Sequence, residues 1–216
     1  MTLPGNKVQL LAVIATCGLV LGYVADTLEG TIPSFHQVLQ LPVVGVMVIL
    51  ITLVTSAALV LWAQQGGSDD RKAFVSAILL TAGVAMLFHA LAQAVGWWSG
   101  HFFQAPVFVL TLLTGLQAIA FFALFLLAYR WLAVRWPRLA LVAYSVLVLL
   151  VIAGTLVGDQ AFLRSGMYVF QGGYSIQADV IYGVGIFCLP LLLYQVIRQR
   201  RRGVSAKSSS MTQDQG

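Results

Sequence analysis

From Ala105 to Tyr129 the chain runs for 25 residues without one charged side chain. A helix rising about 1.5 Å per residue needs only about 20 residues to cross the roughly 30 Å of hydrocarbon in a bilayer. No water reaches a peptide group there, so a run of this kind is forced into a helix that bonds its own backbone. Five further runs are long enough, or nearly so, near residues 8–26, 42–63, 74–97, 138–157 and 179–197. Together they predict an all-α, polytopic integral membrane protein. Residues 1–202 form one bundle of six transmembrane helices, and residues 203–216 form a polar, Ser-rich tail expected to be disordered.

Composition agrees with this reading and narrows it. Of 216 residues, 60% are hydrophobic and 9% charged, against roughly 25% charged in a soluble domain. The formal charge of +5 lies in short clusters between apolar runs, the pattern that orients a polytopic chain, so nucleic acid is not an expected partner. Cys17 and Cys188 both sit within apolar runs and form no C-x-x-C, which leaves a disulfide framework or a zinc cluster without support. The first apolar run follows a single Lys7 and ends without an A-x-A-like site, so it is read as a retained span and not a cleaved signal.

Lys and Arg set the sidedness. Lys7, Arg71, Lys72, Arg130, Arg135, Arg138, Lys207 and the Arg198–Arg202 cluster share one side of a six-span arrangement, and Arg164 alone takes the other. By the positive-inside rule both termini are cytoplasmic, and the expected location is the inner membrane of a bacterium. Trp62, Trp131 and Trp136 then mark the inner interface, with Trp97 and Trp98 at the outer one.

The outer half collects the remaining ionisable groups. Asp26, Glu29, Asp159 and Asp179 fall there, with His36, His89 and His101. Carboxylates gather outside simply because bases are needed inside, and for Asp159 that explanation suffices. Asp26 and Asp179 lie on faces that argue for more. Gly18 and Gly22 form a G-x-x-x-G in line with Asp26, which turns that carboxylate toward the bundle, with Glu29 beside it if the helix continues. Asp179 shares a face with Tyr182, Gly183, Pro190 and Tyr194, and Pro190 removes a backbone donor near mid-membrane.

In the third run, Ala82, Ala85, His89, Ala92, Gln93 and Gly96 fall within about 100° of helical arc. A small-residue face packs against neighbours, so His89 and Gln93 are expected to look inward. An intramembrane histidine is a functional candidate by default, although a neutral imidazole bonded across helices would also account for it. Gln93 suits the role of interhelical glue. The phrase FHQVLQ at residues 35–40 echoes FHALAQ at residues 88–93, but the two sit at different depths and the echo is read as chance. His36 belongs to a short interfacial stretch between Pro33 and Pro42, and His101 to a short loop. Residues 158–178 read as a long aromatic outer loop, either a lid, a re-entrant segment or a partner surface.

Several chemistries lack support. The chain has no G-x-G-x-x-G, P-loop, H-E-x-x-H or G-x-S-x-G, and no span carries an internal Lys for a retinal Schiff base. Three readings remain. The first is a small permease, or the membrane component of an uptake system, taking a small solute or cation through a site of His89, Gln93, Asp26, Glu29, Asp179 and Tyr182. The second is a redox or metal-bearing subunit in which His89 with His36 or His101 binds haem b or copper. The third is a non-catalytic assembly or anchoring subunit. An enzyme acting on lipid stands behind these. The lipid bilayer is the expected environment, with partner membrane subunits or a homo-oligomer around it. The sequence requires no cofactor and names no reaction.

Overall fold

The computed structural model describes residues 37–38, 40–64, 68–99, 106–165 and 169–213. The first apolar run, with Cys17, Gly18, Gly22, Asp26 and Glu29, lies outside them, as do His36 and His101. Among the described residues are five helices, each with a stretch long and apolar enough to cross a membrane. They are α1 (Pro42–Gln64), α2 (Asp69–Val95), α3 (Val107–Arg135), α4 (Pro137–Ser165) and α5 (Ile176–Gln213). Two short strands, β1 (Trp98–Ser99) and β2 (Val169–Phe170), pair antiparallel beyond the ends of α2 and α4. The all-helical, multi-pass build read from hydropathy is therefore present for runs two to six.

Helix ends follow local chemistry more closely than hydropathy does. The start of α2 lies five residues before the apolar run near 74, because Ser68 caps it and Asp69 and Asp70 occupy its first turn. Side-chain oxygens and carboxylates stabilise the free N–H groups and the positive end of the helix dipole there. Gly96, with φ of 74°, closes the other end in the left-handed conformation that glycine adopts without penalty. At the α3–α4 corner Pro137 bars its predecessor from helical geometry, so Trp136 turns out at φ −141° and α4 restarts on the proline.

Two helix boundaries differ from those drawn by hydropathy, at the outer segment and at the C-terminal end. No proline interrupts residues 158–165, and α4 continues through them to Ser165, so Asp159 and Arg164 belong to a helix end and not to a long loop. What remains of the loop is short, and its Val169–Phe170 is tied to Trp98–Ser99. The last helix is assigned on to Gln213, whereas the sequence reading starts a polar tail near residue 203.

Packing centres on α2 and α3. The alanines at 73, 77, 82, 85 and 92 are all buried, and this thin face lets α3 and α5 close onto α2. Phe74, Ile78, Ile119, Phe122, Leu126, Tyr144 and Tyr194 fill the space around it. More than half of the most apolar stretch of α3 is buried, against about a fifth for α1 and α4, which present Leu50, Val54, Leu149 and Leu150 outward. The close approach of α2 and α3 is visible at Gly115, where any Cβ would collide with Met86. Enlarging Ala82, which is 3% exposed, tests the arrangement. Ala82→Leu should cost about 1–3 kcal/mol by overpacking and lower the apparent Tm in detergent, while Val84→Leu on the exposed face of the same helix should leave it unchanged.

Candidate functional site

Both ends of the bundle carry a polar cluster, and α5 takes part in each. At the end where α5 begins, Ser175 precedes the helix and its hydroxyl accepts from the N–H of Ala178 at 3.3 Å. That cap places Asp179 in the first turn, where the helix dipole favours a carboxylate. The Tyr174 hydroxyl donates to Asp179 Oδ1 at 2.8 Å and fixes its rotamer.

An aromatic cluster adjoins this turn. Phe88 of α2 stacks on Tyr182 of α5, with centroids 3.8 Å apart and planes 11° from parallel. Trp97 lies over Tyr174 at 5.4 Å, and Trp98 stands edge-on to Tyr174 at 5.8 Å. The chain is held in this turn by Gln171, whose N–H donates to the Trp97 carbonyl at 2.7 Å, and by Gly172 and Gly173, both at positive φ. Gly172 has a second reason to be glycine, since a Cβ would sit 3.1 Å from the Trp97 ring.

Behind Trp98 a partly enclosed cavity of about 120 Å³ opens between α4 and α5. Ile152, Thr155, Tyr182, Ile186 and Phe187 line it, and Asp179 is the charged group in its wall. The Thr155 hydroxyl donates to its own helix, at the Val151 carbonyl.

Of the residues expected to form a site, Asp179 and Tyr182 meet on this cavity. His89 comes within 4.9 Å of the Trp98 ring, centroid to centroid, and so joins the aromatic cluster from α2. Gln93 Nε2 lies 2.7 Å from His89 Nε2, so the side-chain amide pairs with the imidazole one turn back. Gln93 thus holds the imidazole along its own helix. Asp26, Glu29, His36 and His101 lie outside the described residues. Among the described residues no three His, Cys, Asp or Glu side chains gather as a metal would require.

The opposite end holds a cluster that reading by hydropathy passed over. Asp70 Oδ2 accepts from Arg130 Nη2 at 2.6 Å, Asp70 Oδ1 accepts from the Tyr194 hydroxyl at 2.7 Å, and Arg198 Nε lies 2.9 Å from Oδ1. One carboxylate on α2 therefore binds α3 and two successive turns of α5. Arg130 also lies over the Phe74 ring, 5.3 Å from its centroid, and Phe74 stands edge-on to Tyr194. Beside it Arg71 donates to the Trp62 carbonyl at 3.2 Å and covers the Trp62 ring. Trp62 is buried among protein groups at this end of the bundle. The signal for this knot was present: a Ser-Asp-Asp helix start, and Tyr194 and Arg198 four residues apart on one helical face.

A hydrogen bond to a charged group contributes about 1.5–3 kcal/mol, and removing one partner of a buried pair costs more than the pair was worth. Asp70→Ala should therefore be the most damaging change at this end, at about 2 kcal/mol or more, because it strands two guanidinium groups. Arg130→Gln should follow, and Arg198→Gln, whose side chain is 38% exposed, should cost least. Apparent Tm values in detergent that reverse this order would refute the knot. Comparison with protein-family models, with characterised proteins and with solved structures found no match.

Proposed function

We propose that this chain is a small permease, or the membrane-embedded component of an uptake system, that admits a small solute or cation. The observation that carries the reading is the cavity of about 120 Å³ between α4 and α5, set among membrane-length helices with a carboxylate in its wall. Polar residues that face a cavity within apolar helices mark solute pathways more often than packing. Two further features support it. The cavity lies toward one end of the bundle, and the Asp70 knot ties α2, α3 and α5 together at the other, as a permease open to one side requires. Helix α5 reaches both, with Pro190 between them.

Sidedness rests on charge. Arg71, Lys72, Arg130, Arg135, Arg138 and Arg198 cluster at the Asp70 end, so that end faces the cytoplasm and the Asp179 end faces outward. In a bacterium this is the inner membrane.

Uptake by proteoliposomes tests the function directly. Vesicles containing the protein should accumulate at least one solute from a panel of small amines, inorganic cations and neutral compounds above empty vesicles. Asp179→Asn should reduce that uptake at least tenfold. A panel with no uptake at all removes the permease reading. Sidedness is checked separately in whole cells, with Cys17 and Cys188 changed to Ser. Gln171→Cys should react with a membrane-impermeant maleimide added outside, and Arg200→Cys should react only after the cells are opened. The reverse pattern would invert the topology.

A further inference from the structure

The cavity between α4 and α5 combines an apolar wall with one negative charge. Trp98, Ile152, Tyr182, Ile186 and Phe187 supply rings and hydrocarbon, and among the described lining residues Asp179 alone is charged. Arg164, the described base at this end of α4, is exposed and does not line the cavity.

That combination selects among ligands. An anion meets a carboxylate and is rejected. A neutral apolar molecule fills the space but displaces water from Asp179, against which, among the described residues, the Tyr174 hydroxyl is the side-chain donor, and that is costly. A small inorganic cation needs about six oxygen ligands. Among the described lining residues the side-chain oxygens are the Asp179 carboxylate, the Tyr182 hydroxyl and a Thr155 hydroxyl already donated to Val151, fewer than such an ion takes. A cation whose charge is spread over alkyl groups satisfies both halves of the wall. Its methyl or methylene surface packs on Ile152 and Ile186, its charge neutralises Asp179, and ring faces attract it through their quadrupoles. At about 120 Å³ the cavity is somewhat smaller than the roughly 150 Å³ cavity that accepts benzene, which sets a head group of about five heavy atoms.

We propose that the α4–α5 cavity is a binding site for a small alkylammonium cation, with Asp179 as its counter-charge and Trp98 and Tyr182 as its aromatic walls. The proposal rests on the permease reading in taking this cavity as the solute site, and adds the chemical class of the solute. Tyr174 is a positioning residue: its hydroxyl holds the carboxylate in place.

The test uses the purified full-length protein in lipid nanodiscs. Tetramethylammonium chloride is titrated by calorimetry, with Trp fluorescence as a second readout. Sodium chloride and tert-butanol, a neutral compound of similar size, serve as comparators. Tetramethylammonium should bind at least tenfold more tightly than either. Asp179→Asn, which keeps an acceptor for Tyr174, should weaken it at least tenfold with little change in apparent Tm. Gly183→Val, which adds bulk to the cavity wall near Ile152, should weaken tetramethylammonium and tert-butanol alike. Equal affinity for the cation and the alcohol, wild-type affinity in Asp179→Asn, or no binding by any probe would overturn the proposal. Binding without uptake leaves this site standing and removes the permease reading. Uptake of a neutral solute or an inorganic ion that tetramethylammonium does not inhibit does the reverse.

Discussion

Hydrocarbon offers a peptide group neither donor nor acceptor, and the arrangement of this chain follows from that single lack. Each described span is a helix that bonds its own backbone, and polar side chains within the spans obey the same rule. Thr52, Thr81 and Thr155 each donate to the carbonyl four residues back, at 2.8, 2.8 and 3.0 Å. Thr81 and Thr155 are spent on their own helices, while the Thr52 hydroxyl also lies 3.5 Å from the Leu112 carbonyl of α3. Cohesion in the middle of the bundle rests largely on shape, and α2 presents alanine after alanine to its neighbours, with the Tyr144 hydroxyl on the Phe187 carbonyl as a directional contact between α4 and α5. Charged groups and the imidazole find their partners at the two ends.

Shape and polarity are linked through α2. Its thin face draws α3 and α5 close enough for one carboxylate, Asp70, to reach side chains on both. The same face, followed toward Gly96, brings Phe88 against Tyr182 and His89 against Trp98. A bulkier α2 would separate the helices at both ends at once. The two polar clusters are therefore consequences of one packing surface.

The spans were legible because uninterrupted apolar runs allow one backbone solution. The run near 42–63 matches α1 to within a residue, and the inward placement of Ala82, Ala85 and Ala92 could be read from the 3.6-residue period. Ends were less legible, because capping and charge set them and hydropathy does not. Starting the third run near 74 left Asp70 outside the helix, and with it the chance of seeing that a carboxylate there would meet Tyr194 and Arg198. The pairing of Asp179 with Tyr182 was readable from their shared face. The part played by Trp98 was not, since it depends on a two-residue strand pairing with a segment 71 residues later, which no local pattern announces.

Helix α5 connects what α2 positions. Pro190 has no N–H, so the Ile186 carbonyl loses its helical donor, and Ile186 is itself part of the cavity wall. The next carbonyl, that of Phe187, receives the Tyr144 hydroxyl at 2.7 Å, and the Phe187 ring packs against Phe122 and Phe125. At the break α3 and α4 thus add support to the backbone of α5. One turn beyond Pro190 stands Tyr194, bonded to Asp70. The wall of the cavity and the knot at the far end are joined by the one part of α5 that its own hydrogen bonds hold least.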